Sequence, residues 1–231
     1  MADQLASIVL PVHNQADHVV RLVDDYREAL ARAIPRHEIV LVPNACRDDT
    51  PALCHEMAGA SAGAVRVVEL EAGGWGRAVR AGLGATSGEL LCYTNSARTS
   101  AQMLTVMLLY AISYPNVVIK AQRTIRDNRR RQLGSLLYNL ECRLLFDLPT
   151  WDINGTPKVF PRAFSRLLAL RRDDDLIDAE FVAVCRREGY PIIEVPSLVT
   201  VRHGGRSTTN YGSAWRMYRG AAQLRRQLGA H

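Results

Sequence analysis

Residues 6–43 read ASIVLPVHNQADHVVRLVDDYREALARAIPRHEIVLVP, and their reading decides the fold. ASIVLPV is an apolar run that closes at a proline, the pattern of a buried strand. From Val19 to Ala33 the residues Val19, Leu22, Val23, Tyr26 and Leu30 fall on one helical face. HEIVLVP is a second strand. Strand, helix and strand in succession predict a crossover between parallel strands. The alternation continues. Asp48–Ala60 reads as a helix whose Pro51 suits the first turn. AVRVVEL (64–70), ELLCY (89–93) and NVVIKAQ (116–122) read as strands. GGWG is a loop, and Arg77–Leu83 a short helix closed near Gly84. Met103–Ser113 is a further helix. The expected class is α/β, a Rossmann-like, mainly parallel sheet flanked by helices. In such sheets ligands sit beyond the carboxyl ends of the strands. Pro11, Pro43, Glu71 and Thr94 stand at those ends and are expected to line one crevice.

After Gln122 the pattern changes. Arg126–Arg131 is too charged for a core. Leu133–Phe146 is an amphipathic helix and Asp152–Lys158 a turn-rich strip. Phe160–Leu170 and Leu176–Glu188 read as helical. Pro191–Val195 and Leu198–Arg202 read as short strands. Ser213–Leu228 carries Ala214, Met217, Ala221, Leu224 and Leu228 on one stripe, predicting a C-terminal helical extension.

The chain has 231 residues, enough for one well-buried core or one core with a small appendage. No apolar run is long enough to span a bilayer, and the N-terminus lacks the pattern of a signal peptide. Cys46, Cys54, Cys92, Cys142 and Cys185 are scattered and odd in number, which fits a reducing compartment and argues against a zinc knuckle. The expected localisation is cytoplasmic, or peripheral at the inner face of a membrane. The net charge of +6 is clustered. One cluster is Lys120, Arg123, Arg126 and Arg129–Arg131. The other, in the tail, includes Arg202, Arg206, Arg216, Arg219, Arg225 and Arg226. No acid follows Glu194. Such fields attract phosphates, nucleic acid or anionic membranes, or merely solvate a surface. Neither interleaved aromatics nor a reader helix supports nucleic acid as a partner. Trp215 and Tyr218 among the tail arginines suit a membrane interface, or equally packing on the domain or a second subunit.

Several motifs come in a fixed order: PVHNQ (11–15), VPNACRDDT (42–50), GGWGRAVRAGL (73–83), Thr94-Asn95-Ser96, DINGTPKVFPRAF from Asp152, DAEF (178–181) and RHGGRS (202–207). In order and spacing the chain resembles inverting family-2 glycosyltransferases of the GT-A fold, on the branch of the dolichyl- or polyprenyl-phosphate mannose and glucose synthases. The resemblance covers roughly residues 7–210. It implies a nucleotide-binding half (1–122), an acceptor half (123–210) and a basic amphipathic tail (211–231). It implies donor contacts from Pro11, His13, Gln15, Asn44, Arg77, Thr94, Asn95, Ser96 and Arg98. Phosphate or acceptor contacts fall to Lys120, Arg123, Arg202, His203, Arg206 and Ser207. Asp152, Glu180 and Asp178 are the candidate catalytic acids. The implied partners are a nucleotide-sugar donor and a polyprenyl-phosphate or small-molecule acceptor, with a homodimer compatible.

The departures from the family pattern fall together. Gln15 stands where a glutamate is usual, Pro43 and Asn44 where aspartates are usual, and Thr94 and Ser96 replace both acids of Asp-X-Asp. Charge developing on the departing diphosphate needs a cation. The usual answer is magnesium or manganese on oxygen ligands, and neutral Thr94, Asn95 and Ser96 make a poor cage for either. The expectation is therefore transfer without a divalent metal or other cofactor, Arg98 offsetting the charge through its planar fork. The alternative is a catalytically silent binding or scaffold protein. On the acceptor side an acid is needed as base or orienting group, and Asp152 ranks ahead of Glu180. Residues at i and i+2 on a helix do not share a face, so at most one of Asp178 and Glu180 is expected to point into the pocket unless the helix begins there, a helix cap being the other reading of Asp178.

Overall fold

The computed structural model describes residues 4–123, 129–148, 150–197, 220–221 and 223–226, with side chains from 136 onward in the second stretch. The elements are β1 Ala6–Val12, α1 Val19–Ala33, β2 His37–Pro43, α2 Thr50–Gly59, β3 Val65–Val67, α3 Trp75–Gly84 and β4 Leu90–Tyr93. They continue with α4 Ala101–Ser113, β5 Val118–Arg123, α5 Arg129–Phe146, β6 Lys158–Pro161, a 3₁₀ turn Ser165–Leu168, α6 Ile177–Glu188 and β7 Ile192–Ser197.

The seven strands form one sheet in the order β3-β2-β1-β4-β6-β5-β7. All neighbours are parallel except β6, which runs antiparallel between β4 and β5. Strand alternation divides the core in two. Ile8, Leu10, Ile39, Cys92 and Ile119 face α1, α2 and α4. Val9, Val40, Leu91, Phe160 and Val118 face α3, α5 and α6. The predicted stripe of α1 is buried as expected, and Tyr26 Oη donates to the Thr99 carbonyl at 2.8 Å, fixing the turn after β4.

Two expectations are corrected. Phe160–Leu170 is not helical: Lys158–Pro161 is a strand and only Ser165–Leu168 turns, as 3₁₀. A helix there would leave the facing backbones of β4 and β5 unpaired inside the sheet, and β6 satisfies both. The third strand is also shorter than its apolar run. Only Val65–Val67 pairs, and Leu70 returns as a single bridge to Asn44. The predicted strand Leu198–Arg202 lies outside the described residues. Of the tail stripe, Ala221 and Leu224 are buried in the α5–α6 core, so this part packs on the domain.

The amino end of the sheet is closed by Glu38, which accepts from Ser7 Oγ at 2.5 Å and from Ser87 N and Oγ at 2.6 and 2.8 Å. Burial opposes this carboxylate's charge. Hydrogen bonds from Ser7, Ser87 and Arg66 outweigh that and hold it below the usual glutamate range.

Candidate active site

At the carboxyl end of β1 and β2, backbone geometry dominates. Asn44 Nδ2 donates to the Val12 carbonyl at 2.9 Å, and the Asn44 carbonyl pairs with His13 Nδ1 at 2.7 Å. Asn44 thus stitches the two strand ends together. Asn14 and Ala45 adopt positive φ of 50° and 47°, turning both chains out of the sheet. Asp48 accepts from Thr50 Oγ1 at 2.6 Å and from Ala16 N at 3.1 Å, and Thr50 Oγ1 accepts from Gln15 N at 2.8 Å. Gln15 is buried, and its Oε1 meets no hydrogen-bond partner among the described residues.

The turn after β4 is folded inward. Thr94 Oγ1 shares a hydrogen bond with Thr99 Oγ1 at 2.7 Å, Ser96 Oγ donates to the Pro11 carbonyl at 3.0 Å, and Asn95 Oδ1 accepts from Ala97 N at 3.0 Å. These neutral oxygens brace the turn, so they do not fit a hard divalent cation, which takes six or more oxygens and favours carboxylates. Among the described residues no three His, Cys, Asp or Glu side chains come together to hold a metal ion. Arg98 is half-buried at the end of the same turn, two residues before the Ser100 cap of α4.

Arg77 is not presented as a lone cation. With Arg80 it grips Asp173, at 3.2 and 2.5 Å. The glycine turn explains the closeness of that grip. A β-carbon at Gly74 would lie 2.6 Å from the Asp173 carbonyl, and one at Gly76 would collide with the Arg172 carbonyl. Glu180 completes the clamp from the other side. Its oxygens accept from Arg171 N at 3.0 Å and Arg172 N at 2.9 Å, so it anchors this loop.

The other two acids sit on buried lysines. Tyr93, Lys158, Lys120 and Glu194 are register partners across β4, β6, β5 and β7. They therefore form one transverse row on the α6 side of the sheet. Asp178 accepts from Lys158 Nζ, from Tyr93 Oη at 2.9 Å and from Trp75 Nε1 at 3.1 Å. It lies inside the first turn of α6 and is not its cap. Burial pulls the Lys158 ammonium down to about 8, against the attraction of Asp178. Lys120 is fully buried too, not an open phosphate ligand as expected. Its Nζ donates to the Asp152 carbonyl at 2.5 Å and to Glu194 Oε1 at 2.7 Å. Above it, Asp152 binds Arg123 through both oxygens, at 2.6 Å to Nη2 and 2.7 Å to Nε, and accepts from the Arg123 amide at 3.0 Å. The Arg123 side chain is 26% exposed and that of Asp152 only 4%, so the arginine is the more accessible half of the pair.

Sequence reasoning missed Lys158, Tyr93 and Trp75. One signal was available: Lys120 and Lys158 are the only lysines in a chain that otherwise places arginine at every basic position. Arg202, His203, Arg206 and Ser207 lie outside the described residues. Gly155 shows how tightly the strip is set. A β-carbon there would collide with the Ala121 carbonyl and approach Asp152 Oδ2 to 3.1 Å. Gly155→Ala is expected to cost about 1–3 kcal/mol in denaturant unfolding by overpacking, and to displace Asp152.

A mainly parallel α/β sheet with one antiparallel strand inserted is the architecture of the GT-A fold. Residues 7–168 match the family model described as glycosyl transferase family 2, and the chain belongs to that family. Glucosyl-3-phosphoglycerate synthase from Mycobacterium tuberculosis shares the fold. Its complex with uridine diphosphate aligns at TM-score 0.73 and 18% identity, over 97% of this chain and 80% of that one. Its complex with Mn2+, uridine diphosphate and glucosyl-3-phosphoglycerate aligns at 0.68 and 20%, over the same shares. A complex with Mg2+ and uridine diphosphate aligns at 0.72 and 19%, again over 97% and 80%. No curated protein matches the sequence.

Proposed function

We propose that the protein is an inverting glycosyltransferase that moves a sugar from a nucleotide-diphosphate donor to an anionic acceptor, a polyprenyl phosphate or a small phosphorylated molecule. The observation that carries this reading is the engagement of all three candidate acids. Asp152 is held by Arg123, Asp178 by Lys158, Tyr93 and Trp75, and Glu180 by two backbone amides. A hydroxyl acceptor needs a general base. A phosphate acceptor is already ionised and needs a cation to place it, and Arg123, partly exposed at the end of β5, is proposed as that cation. Asp152 then positions Arg123 instead of taking a proton.

The donor belongs at the carboxyl ends of β1, β2 and β4, with uridine as the family's usual base. Glucosyl-3-phosphoglycerate synthase forms complexes that contain Mn2+ or Mg2+ together with uridine diphosphate. This chain instead offers buried, neutral oxygens at the corresponding turn, and Arg98 is proposed to meet the diphosphate charge directly. Transfer from a panel of nucleotide sugars to a phosphorylated acceptor, followed in excess chelator, tests the reading. Turnover is expected to stay within about twofold of the untreated rate, since 1.4 kcal/mol of lost stabilisation would already slow it tenfold. Complete loss, restored by added magnesium or manganese, overturns the metal-free mechanism. A protein that binds the donor with no transfer or hydrolysis is the silent alternative, which the missing donor-side acids favour.

A further inference from the structure

We infer that the outer face of α5, with Trp151, docks on an anionic lipid surface. Leu136, Leu137, Leu140 and Leu144 are 54, 51, 51 and 78% exposed. At 100° per residue these four fall within an arc of about 100°. Tyr138, Asn139, Cys142 and Phe146 are buried on the opposite side. A surface helix normally shows water its polar face; this one shows a band of leucine. Trp151 is 55% exposed, and the Arg143 guanidinium lies 3.7 Å from the centroid of its ring. An aromatic ring capped by a cation suits the level where acyl chains meet headgroups.

Three observations select the occupant. Of the chain's own tail, Ala221 and Leu224 are already seated in the core and so are not available to this face. A second copy would meet a single leucine band and one tryptophan, well short of the roughly 20–30 residues a side of a stable interface. The charge fits anionic lipid: α5 begins Arg129-Arg130-Arg131, and only Glu141 on it is acidic. Trp151 directly precedes Asp152, which holds Arg123, so a docked α5 sets the proposed acceptor site at headgroup level. The inference extends the acceptor half of the function proposed above and rests on it only for that orientation.

The test is sedimentation of the full chain with vesicles of equal parts phosphatidylglycerol and phosphatidylcholine, and with phosphatidylcholine alone. The protein is expected to pellet with the anionic vesicles and much less with the neutral ones. Leu136→Glu, Leu140→Glu and Leu144→Glu together are expected to weaken that association about a hundredfold, each leucine contributing about 1 kcal/mol of burial. Their melting temperature should stay near that of the parent, because all three are already in water. Val106→Glu with Leu109→Glu, on α4 across the sheet and 41 and 42% exposed, should leave binding unchanged. Absence of binding by the parent, or equal binding by the triple variant, overturns the inference. So does light scattering that finds a dimer which the triple variant splits, with no vesicle binding by either. Transfer to a water-soluble acceptor is read separately. Vesicle binding without transfer overturns the proposed function and leaves the docking face standing; transfer without vesicle binding does the reverse.

Discussion

Lys158→Met is expected to cost about 3–5 kcal/mol of folding stability, and adding Asp178→Asn to recover more than half of it. Lys158 is fully buried, and Asp178 accepts its ammonium from inside the first turn of α6. Removing one partner strands the other charge in the core, which is where the large cost arises. Asparagine in place of the acid removes that stranded charge. It still offers one carbonyl oxygen to Tyr93 Oη or Trp75 Nε1, so the remaining donors are partly satisfied. Urea unfolding of the parent, the two single variants and the double variant gives the full cycle. Additive losses would remove the pair as a coupled unit. The pH dependence has a definite sign. Burial lowers Lys158 from 10.5 to about 8, so between those values the unfolded chain binds the proton and the folded chain does not. Stability contributed by this group therefore rises with pH across that window and is lowest below it. The parent should gain on the double variant from about pH 8 to 10.

Much of the sheet was legible because its strands are continuous apolar runs and its helices have a clean period. The α1 stripe Val19, Leu22, Val23, Tyr26 and Leu30 is buried to the residue. The sixth strand was not legible. KVFP is short, carries a lysine and ends in a proline, and only the gap between β4 and β5 makes it a strand. The transverse row was hidden for a related reason. Tyr93, Lys158, Lys120 and Glu194 lie far apart in sequence and become neighbours only through register, one member coming from the strand that was missed. Pattern also singled out Asp152, Asp178 and Glu180 without saying what each holds. Their partners are a guanidinium, an ammonium and two amides, contributed by segments whose approach the sequence does not encode locally.

Arg123→Ala is expected to lower kcat/KM for a phosphorylated acceptor about 10²–10³-fold, the range seen when one preorganised electrostatic contact is lost. The side chain is partly exposed at the end of β5 while its Nε and Nη2 are fixed on Asp152. That geometry spends little entropy on placing the fork and leaves its remaining N–H groups for an anion. Arg123→Lys should recover little, because an ammonium cannot keep two parallel contacts to Asp152 and also face the acceptor. Asp152→Asn is the discriminating variant. An amide still accepts one hydrogen bond from Arg123, so a positioning acid should lose about tenfold, mostly as a raised KM for the acceptor, with donor KM unchanged. A general base should instead lose 10²–10⁴-fold in kcat, with a changed pH profile on its basic limb. Steady-state kinetics on the three variants, with melting curves to confirm folding, separates the two roles. If Asp152→Asn lowers kcat more than Arg123→Ala does, the acid takes the proton, and the acceptor is a hydroxyl whose activation this carboxylate must perform.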